Sequence, residues 1–127
     1  LIRMSEVVYN FQRVFNLKLG YGTREHDAIP YRSAGPVTNV EYESRAERYD
    51  QQLRDQLGID PTGMSTTDKR LALRRHREEQ YDKLVSAVYE RRGWDQNGIP
   101  TLETVRDLGI DFPDVVELIK AHTNGQD

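Results

Sequence analysis

The loop segment TREHDA, residues 23–28, brings together side chains that could transfer protons. Arg24, Glu25, His26 and Asp27 stand next to one another in it. Carboxylates and imidazoles are the usual groups for general acid–base catalysis, but that role also requires a defined geometry. Because polar residues are ordinary in loops, a solvated loop is the interpretation that the residues alone favour. They assign no catalytic residue.

Metal ligands are scarce in this sequence. Its 127 residues include no cysteine, so the chain offers no thiolate to zinc or to an iron-sulfur cluster. The three histidines, His26, His76 and His122, lie far apart in the sequence, whereas a helical zinc motif places two of them four residues apart. The residues therefore predict no metal site in this chain.

The charge pattern argues against a nucleic-acid partner. The basic run RRHR, residues 74–77, is followed at once by Glu78 and Glu79, a pattern typical of a solvated helix face with local ion pairs. The formal net charge is -3, whereas nucleic-acid binding usually requires a basic surface. A possible helix-turn-helix near the end of the chain has an acidic second helix, DVVELIKAH. We expect no nucleic-acid partner.

The composition favours solvated helices around a modest core. Charged residues make up 31% of the chain and hydrophobic residues 36%. No stretch approaches the roughly 20 apolar residues that a membrane span requires, and no signal peptide is recognisable. We therefore expect no membrane span and a cytoplasmic protein.

Helical periodicity determines the expected elements. A first helix should end near Gly20 and have one apolar and one polar face. The apolar face comprises Met4, Val7, Val8, Phe11, Val14 and Phe15. The polar face comprises Glu6, Asn10, Arg13 and Asn16. Residues 21–39 contain two prolines and two glycines and predict a long irregular loop.

A charged helical hairpin should follow this loop. Its first helix is predicted over about 42–57, ending at Gly58, and its second starts with a capping box at Ser65 and Asp68. This second helix should reach about Arg92. Residues 122–127, HTNGQD, are predicted to fray. We found no convincing strand, so the predicted fold class is all-α: an irregular multi-helix domain with a charged hairpin and a long irregular loop.

The stretch RGWDQNGIPT, residues 92–101, interrupts the helical pattern. Gly93 should end the long helix, Asn97-Gly98 is a strong turn dipeptide, and Thr101 has the properties of an N-cap. We predict that this stretch is a structural joint that plants Trp94 against the helical domain. The joint comprises Gly93, Trp94, Asp95, Gly98, Pro100 and Thr101.

Two stretches of this sequence follow a known pattern. The stretch YNFQRVFNLKLGYGTREHDAIPYRS contains Asn10, Arg13, Phe15, Asn16, Gly20, Thr23, Arg24, Asp27, Pro30 and Arg32. The stretch YERRGWDQNGIPTLETVRDLG contains Tyr89, Arg92, Gly93, Trp94, Asp95, Gly98, Pro100, Thr101, Leu108 and Gly109. In order and spacing, these residues resemble the C-terminal region of the tungsten-containing aldehyde ferredoxin oxidoreductase family.

The resemblance implies that residues 1–127 are one helical domain, the C-terminal portion of a larger redox enzyme. Such an enzyme holds tungsten between paired pterin dithiolenes, and a 4Fe-4S cluster relays electrons to ferredoxin. It oxidises aldehydes to carboxylic acids. The resemblance places the pterin site, the cluster cysteines and the acid–base residues in earlier parts of the chain. No catalytic, cofactor-binding or metal-ligating residue is therefore carried over to this chain, and the fragment alone should be inactive.

The resemblance also implies partners: the upstream domains of the same enzyme, and ferredoxin or an electron-transfer subunit. Arg13, Asn16 and Arg24, from the first stretch, have two possible roles. They could hold the loop to the first helix by hydrogen bonds, or they could face the substrate channel or cofactor domain and support the residues there.

This sequence departs from the family pattern in several places. Lys18 replaces a common arginine, Gly22 is an extra loop residue, and the hairpin at 42–80 resembles an insertion. The last helix also extends beyond the usual ending. An inserted surface element could dock an electron-transfer subunit, so a benzoyl-CoA reductase catalytic subunit is the alternative within the enzyme class. The alternative from another class is a stand-alone helical interaction or regulatory module.

Overall fold

A computed structural model describes residues 1–124 of the chain, and within them it contains helices and no β-strand. The α-helices are α1 (Ile2–Lys18), α2 (Asn39–Glu43), α3 (Ala46–Gln52), α4 (Thr66–Arg92), α5 (Leu102–Asp107) and α6 (Pro113–Asn124). Short 3₁₀ helices span Arg24–Asp27 and Tyr31–Ala34, and a π-helical turn spans Leu53–Leu57. The predicted all-α fold class is confirmed.

Several helix ends lie where capping residues predicted them. The Ser65 hydroxyl accepts a hydrogen bond from the amide of Asp68 at 3.1 Å and starts α4, and Gly58 ends the preceding turn in the left-handed conformation. Helix α6 continues through His122 to Asn124, and the predicted fraying of these residues stays a prediction. The rest of the predicted frayed tail lies outside the described residues.

The chain divides into two compact units. The first contains Leu1–Ala28 and the chain from Val85 onward, and the second contains Ile29–Leu84. The boundary falls within α4. In the first unit, α1 packs against α6 around an aliphatic core. This core comprises Val14, Leu17, Ile99, Val105, Ile110, Val115 and Ile119.

Helix α1 buries only part of the predicted apolar face: Val14 lies in the core and Val7 packs against it. Asn10, expected on the outer polar face, is fully buried, whereas Met4 and Phe15, expected inside, are 72% and 55% exposed. The helix is amphipathic as predicted, but the polar atoms of Asn10 and Arg13 find partners from distant parts of the chain. Because hydrogen bonds to those partners offset the cost of burying polar groups, this face can lie inside the first unit.

The second unit has its own small core, formed by Tyr42, Tyr49, Leu53 and Leu73. The rings of Tyr42 and Tyr49 lie 5.1 Å apart, and the Tyr42 hydroxyl donates to Asp50 at 2.6 Å. The Asp50 carboxylate also pairs with Lys69 from α4 at 3.3 Å. These contacts join α2 and α3 to α4. The predicted hairpin at 42–80 lies within this unit, and its status as an insertion stays a prediction.

The single helix predicted over 42–57 is wrong, because it is broken into α2, α3 and the π-helical turn. The break lies at Ser44 and Arg45, where Arg45 leaves the helical backbone region. The Ser44 hydroxyl donates to the carbonyl oxygen of Glu41 at 2.7 Å. A serine side chain that satisfies a carbonyl in this way offers the backbone an alternative to continued helix.

The basic run at 74–77 is not the fully solvated face that its charges predicted. Arg74 is 2% exposed, and its guanidinium donates to the carbonyl oxygens of Tyr31 at 2.6 Å and Gly35 at 3.1 Å. It also stacks on the Tyr31 ring, with its central carbon 3.4 Å from the ring centre. Arg77 donates to Gln52 at 2.7 Å. Only Arg75 of the three arginines is exposed.

No helix in residues 1–124 is both long enough and apolar enough to cross a membrane.

The contacts of Arg74 predict that two neighbouring substitutions change the free energy of unfolding by different amounts. Arg74→Ala leaves the carbonyls of Tyr31 and Gly35 without their donor, so it should lower the free energy of unfolding by about 2 to 4 kcal/mol. Arg75→Ala, one residue away and exposed, should change it by less than about 0.5 kcal/mol. Urea denaturation monitored by circular dichroism measures both. Equal effects would show that the buried guanidinium does not stabilise the second unit.

Candidate functional site

Arg13 lies at the centre of a polar cluster in the first unit. Its side chain on α1 is 10% exposed. Its Nη1 and Nη2 donate to the two carboxylate oxygens of Asp27 at 3.2 and 2.7 Å, and its Nε donates to the carbonyl oxygen of Gly98 at 2.8 Å. A forked pairing fixes the plane of the guanidinium as well as its charge. Arg13 therefore ties α1 both to the following loop and to the predicted joint.

Two aromatic rings complete the surroundings of this ion pair. The Tyr89 hydroxyl, from the end of α4, donates a hydrogen bond to Asp27. The central carbon of the Arg13 guanidinium lies 4.6 Å from the Trp94 ring centre and 5.7 Å from that of Tyr89, both within cation–π range. We call the group formed by Asn10, Arg13, Asp27, Tyr89, Trp94 and Gly98 the Arg13 cluster.

Asn10 connects the Arg13 cluster to the core. Its buried side-chain oxygen accepts a hydrogen bond from the indole Nε1 of Trp94 at 2.7 Å, and its amide nitrogen donates to the carbonyl oxygen of Glu6 at 2.8 Å. Trp94 is half-buried rather than enclosed. The predicted contact between Trp94 and the helical domain is therefore a specific hydrogen bond to α1 as well as ring packing.

Arg24 also holds the joint. Its backbone amide donates to the carbonyl oxygen of Asn97, and its guanidinium donates to the carbonyl oxygen of Gln96, each at 2.9 Å. The guanidinium also donates to the Ser86 hydroxyl at 2.8 Å. Asn16 lies on the exposed side of α1, where its carbonyl oxygen accepts the amide of Tyr21 at 2.9 Å. Arg13 and Arg24 thus meet at the joint, and Asn16 stands apart.

Asp95 organises the turn of the joint. Its Oδ1 accepts the backbone amides of Asn97 at 2.8 Å and Ile99 at 3.0 Å. Its own amide donates to the carbonyl oxygen of Ile99 at 2.8 Å, and Gly98 donates to its carbonyl oxygen at 3.0 Å. Trp94 and Pro100 form an isolated bridge across this turn. The carboxylate thus acts as a turn template of the kind that aspartate commonly provides.

Gly93 and Thr101 fix the two ends of the joint. Gly93 has a φ of 74°, and its carbonyl oxygen accepts the hydroxyls of Thr104 at 2.7 Å and Thr101 at 3.2 Å. The Thr101 hydroxyl accepts the amide of Thr104 at 3.2 Å and caps α5, as predicted. A Cβ atom at Gly93 would lie 2.2 Å from the Thr104 hydroxyl oxygen, so only glycine fits there.

The electrostatics of the Arg13 cluster favour an ionised Asp27. Burial raises the pKa of this carboxyl group, but the hydrogen bonds from Arg13 and Tyr89 outweigh that effect, so the pKa lies below its usual value. Burial and the bond to Asp27 raise the pKa of the Tyr89 hydroxyl to about 12. Asp27 is therefore a carboxylate and Tyr89 a neutral donor at neutral pH, which favours a stable ion pair over proton transfer.

The chemistry of this site is that of a structural clamp. The Arg13 guanidinium is matched by a carboxylate, a carbonyl oxygen and two ring faces, which together satisfy a charge held away from water. In the described part of the chain, no group of three histidine, cysteine, aspartate or glutamate side chains is arranged to hold a metal ion. The arrangement supports positioning of backbone segments.

The two motif stretches meet in this site. All six residues of the Arg13 cluster belong to those stretches, although up to 88 positions separate them in the sequence. Reasoning from residue type alone missed the roles of Asn10, Asp27 and Tyr89. The signal that could have found them was their membership of the motifs, which grouped them with Arg13 and Trp94.

The comparison with protein families agrees with this geometry. A sequence model described as "Aldehyde ferredoxin oxidoreductase, domains 2 & 3" matches residues 1–110. The chain belongs to the aldehyde ferredoxin oxidoreductase family. The match includes the whole Arg13 cluster and ends before α6. No curated protein and no solved structure showed significant similarity to the chain.

The first prediction for this family member concerns Gly98. A Cβ atom at this position would lie 2.1 Å from Nη2 of Arg13 and 2.8 Å from the Tyr89 ring. Gly109 has a similar φ, 73° against 78°, but a Cβ atom there meets nothing within 4 Å. Both alanine variants should lose about 1 to 2 kcal/mol of stability from the left-handed backbone. Gly98→Ala should lose about 1 to 3 kcal/mol more from overpacking.

Thermal and urea denaturation of the Gly98→Ala and Gly109→Ala variants would measure this difference. Equal losses would mean that the backbone conformation alone requires glycine and that the Arg13 cluster tolerates displacement.

The second prediction concerns the loss of stability at low pH. The folded-state pKa of Asp27 is lower than its unfolded value, so the stability that this carboxylate contributes is present above the unfolded pKa and is lost as the pH falls through the folded pKa. The free energy of unfolding should therefore fall more steeply between about pH 5 and pH 3 in the wild type than in Asp27→Asn. Parallel slopes for the two proteins would contradict the depressed pKa.

Proposed function

We propose that this chain is the C-terminal helical portion of a tungstopterin, iron-sulfur oxidoreductase. In this proposal the whole enzyme oxidises an aldehyde and water to a carboxylic acid, two protons and two electrons, and ferredoxin accepts the electrons. The chain itself has a structural role, and the enzyme works in the cytoplasm. The family match over residues 1–110 carries the proposal.

The Arg13 cluster supports the structural role. Its guanidinium, carboxylate, hydroxyl and indole groups bond to one another and to backbone carbonyls. Residues that follow the family pattern are thereby used to join α1, the following loop and the joint. A channel-facing role for Arg13, Asn16 or Arg24 stays a prediction, and Asn16 has the most exposed position of the three.

The donor set of this chain does not fit an iron-sulfur cluster, because such a cluster requires thiolates and the sequence contains no cysteine. The proposal therefore assigns the 4Fe-4S cluster to other domains of the enzyme. It assigns tungstopterin to them as well, on the family resemblance alone, and it routes no reaction step through residues of this chain. Other domains of the same polypeptide and ferredoxin, or an electron-transfer subunit, are the proposed partners.

The test is anaerobic purification of the native protein, with intact mass, metal analysis and activity. We expect a polypeptide much longer than this chain, with tungsten, about four irons, and aldehyde-dependent reduction of ferredoxin. A metal-free protein of about this length would overturn the proposal in favour of an interaction module. Reduction of benzoyl-CoA without aldehyde oxidation would favour the other enzyme branch.

The structural role has its own test in the same preparation. Arg13→Ala should lower the yield of folded enzyme and its melting temperature, since it removes the ion-pair partner of Asp27 and the side-chain donor to the Gly98 carbonyl. Turnover per bound tungsten should stay close to that of the wild type. A large loss of turnover per tungsten at an unchanged melting temperature would instead support the channel-facing role.

A further inference from the structure

All three phenylalanines of the chain line one groove on the first unit. Phe11 and Phe15 lie on α1, and Phe112 immediately precedes α6. They are 45%, 55% and 53% exposed, respectively. Val14, Val115 and Leu118 also line the groove, together with the charged residues Lys18 and Asp114, and its volume is about 300 Å³. The largest apolar side chains of these helices are therefore on the outside.

This arrangement reverses the usual relation between size and burial. The core of the first unit consists of valine, leucine and isoleucine side chains. A small domain normally buries its aromatic rings, because they contribute the most apolar area. Here the three rings stay about half exposed, so they contribute little to the core of this unit. Their placement is explained if they belong to a second core that another surface completes.

The exposed apolar surface continues along α1 toward its start. Leu1, Met4 and Val8 extend the row of Phe11 and Phe15, and each is more than half exposed. A shallow groove beside them also includes Ser5, Tyr9 and Gln12, all uncharged. A continuous uncharged apolar stripe of this kind marks an interaction surface more often than free surface.

We infer that the phenylalanine groove and the apolar stripe of α1 form the surface that docks another domain of the same polypeptide. The family model that matches this chain is described as domains 2 and 3, so enzymes of this family contain a further domain. Permanently covered interfaces are more apolar than transient ones, which are about as polar as ordinary surface. The groove fits a permanent apolar contact. The inference rests on the proposed function only in requiring a larger enzyme.

Site-specific photo-cross-linking in the full native protein tests this inference. The variant Phe112→benzoylphenylalanine places a photoreactive ring in the groove, and Tyr21→benzoylphenylalanine is the control. Tyr21 lies in the same unit, outside the residues that line the groove, and is 62% exposed. After irradiation, mass spectrometry identifies the peptide joined to each site. We expect position 112 to cross-link within one polypeptide to a segment outside residues 1–127, at a yield several-fold above the control.

Cross-links from position 112 that join two copies of the protein would overturn the inference and assign the groove to an oligomer interface. A yield equal to that of the control would overturn it as well. This readout requires neither bound metal nor activity, so it is independent of whether the enzyme oxidises aldehydes.

Hydroxyl-radical labelling of the unsubstituted protein provides a second measurement that no variant can disturb. If the groove is covered, Phe11, Phe15 and Phe112 should be labelled at less than about a tenth of their rate in urea, as in a fully buried interface core. If it is open, their half-exposed rings should be labelled at about half that rate. Labelling at the higher rate would overturn the inference.

Discussion

A buried guanidinium can be tolerated only if its charge and its N–H groups all find partners. In the first unit this constraint falls on Arg13, and its partners come from three separate segments: Asp27, Gly98 and the rings of Tyr89 and Trp94. If any one of these segments separated from Arg13, the buried guanidinium charge would lose part of its set of partners. The helix, the loop and the joint therefore have to fold together.

In the second unit, too, a buried arginine holds a loop segment by donating hydrogen bonds to it. The chain from Tyr31 to Gly35 contains only one short 3₁₀ helix, and Arg74 donates to carbonyl oxygens at both of its ends while stacking on the Tyr31 ring. Irregular backbone must find partners for its polar groups somewhere. In both units a planar side chain with several donors replaces the ladder that a helix or strand would provide. The long loop predicted from prolines and glycines is thus held in place by Arg13 and Arg74, which lie outside it on α1 and α4.

Sequence reasoning succeeded where the decisive interactions are local. The capping of α4 by Ser65, the left-handed stop at Gly58 and the start of α5 at Thr101 all depend on residues within four positions. It failed for Asn10 and Arg13 on α1, because the partners that make these polar residues acceptable inside lie more than ten positions away. The helix stop at Gly93 and the N-cap at Thr101 were predictable from local chemistry. The attachment of the joint to α1 was not, since it depends on tertiary contacts that no spacing rule encodes.

The turn at Asn97-Gly98 also bears on how long the protein remains chemically intact. In flexible chains, an asparagine followed by glycine loses ammonia readily, because the glycine amide nitrogen attacks the asparagine side chain and forms a cyclic imide. Here that amide hydrogen is engaged by the Asp95 carbonyl oxygen, and Gly98 is packed beneath Arg13 and Tyr89. An engaged and immobilised nitrogen is a poor nucleophile. The joint thus protects Asn97 from deamidation. The rate of this reaction therefore depends on local opening of the joint.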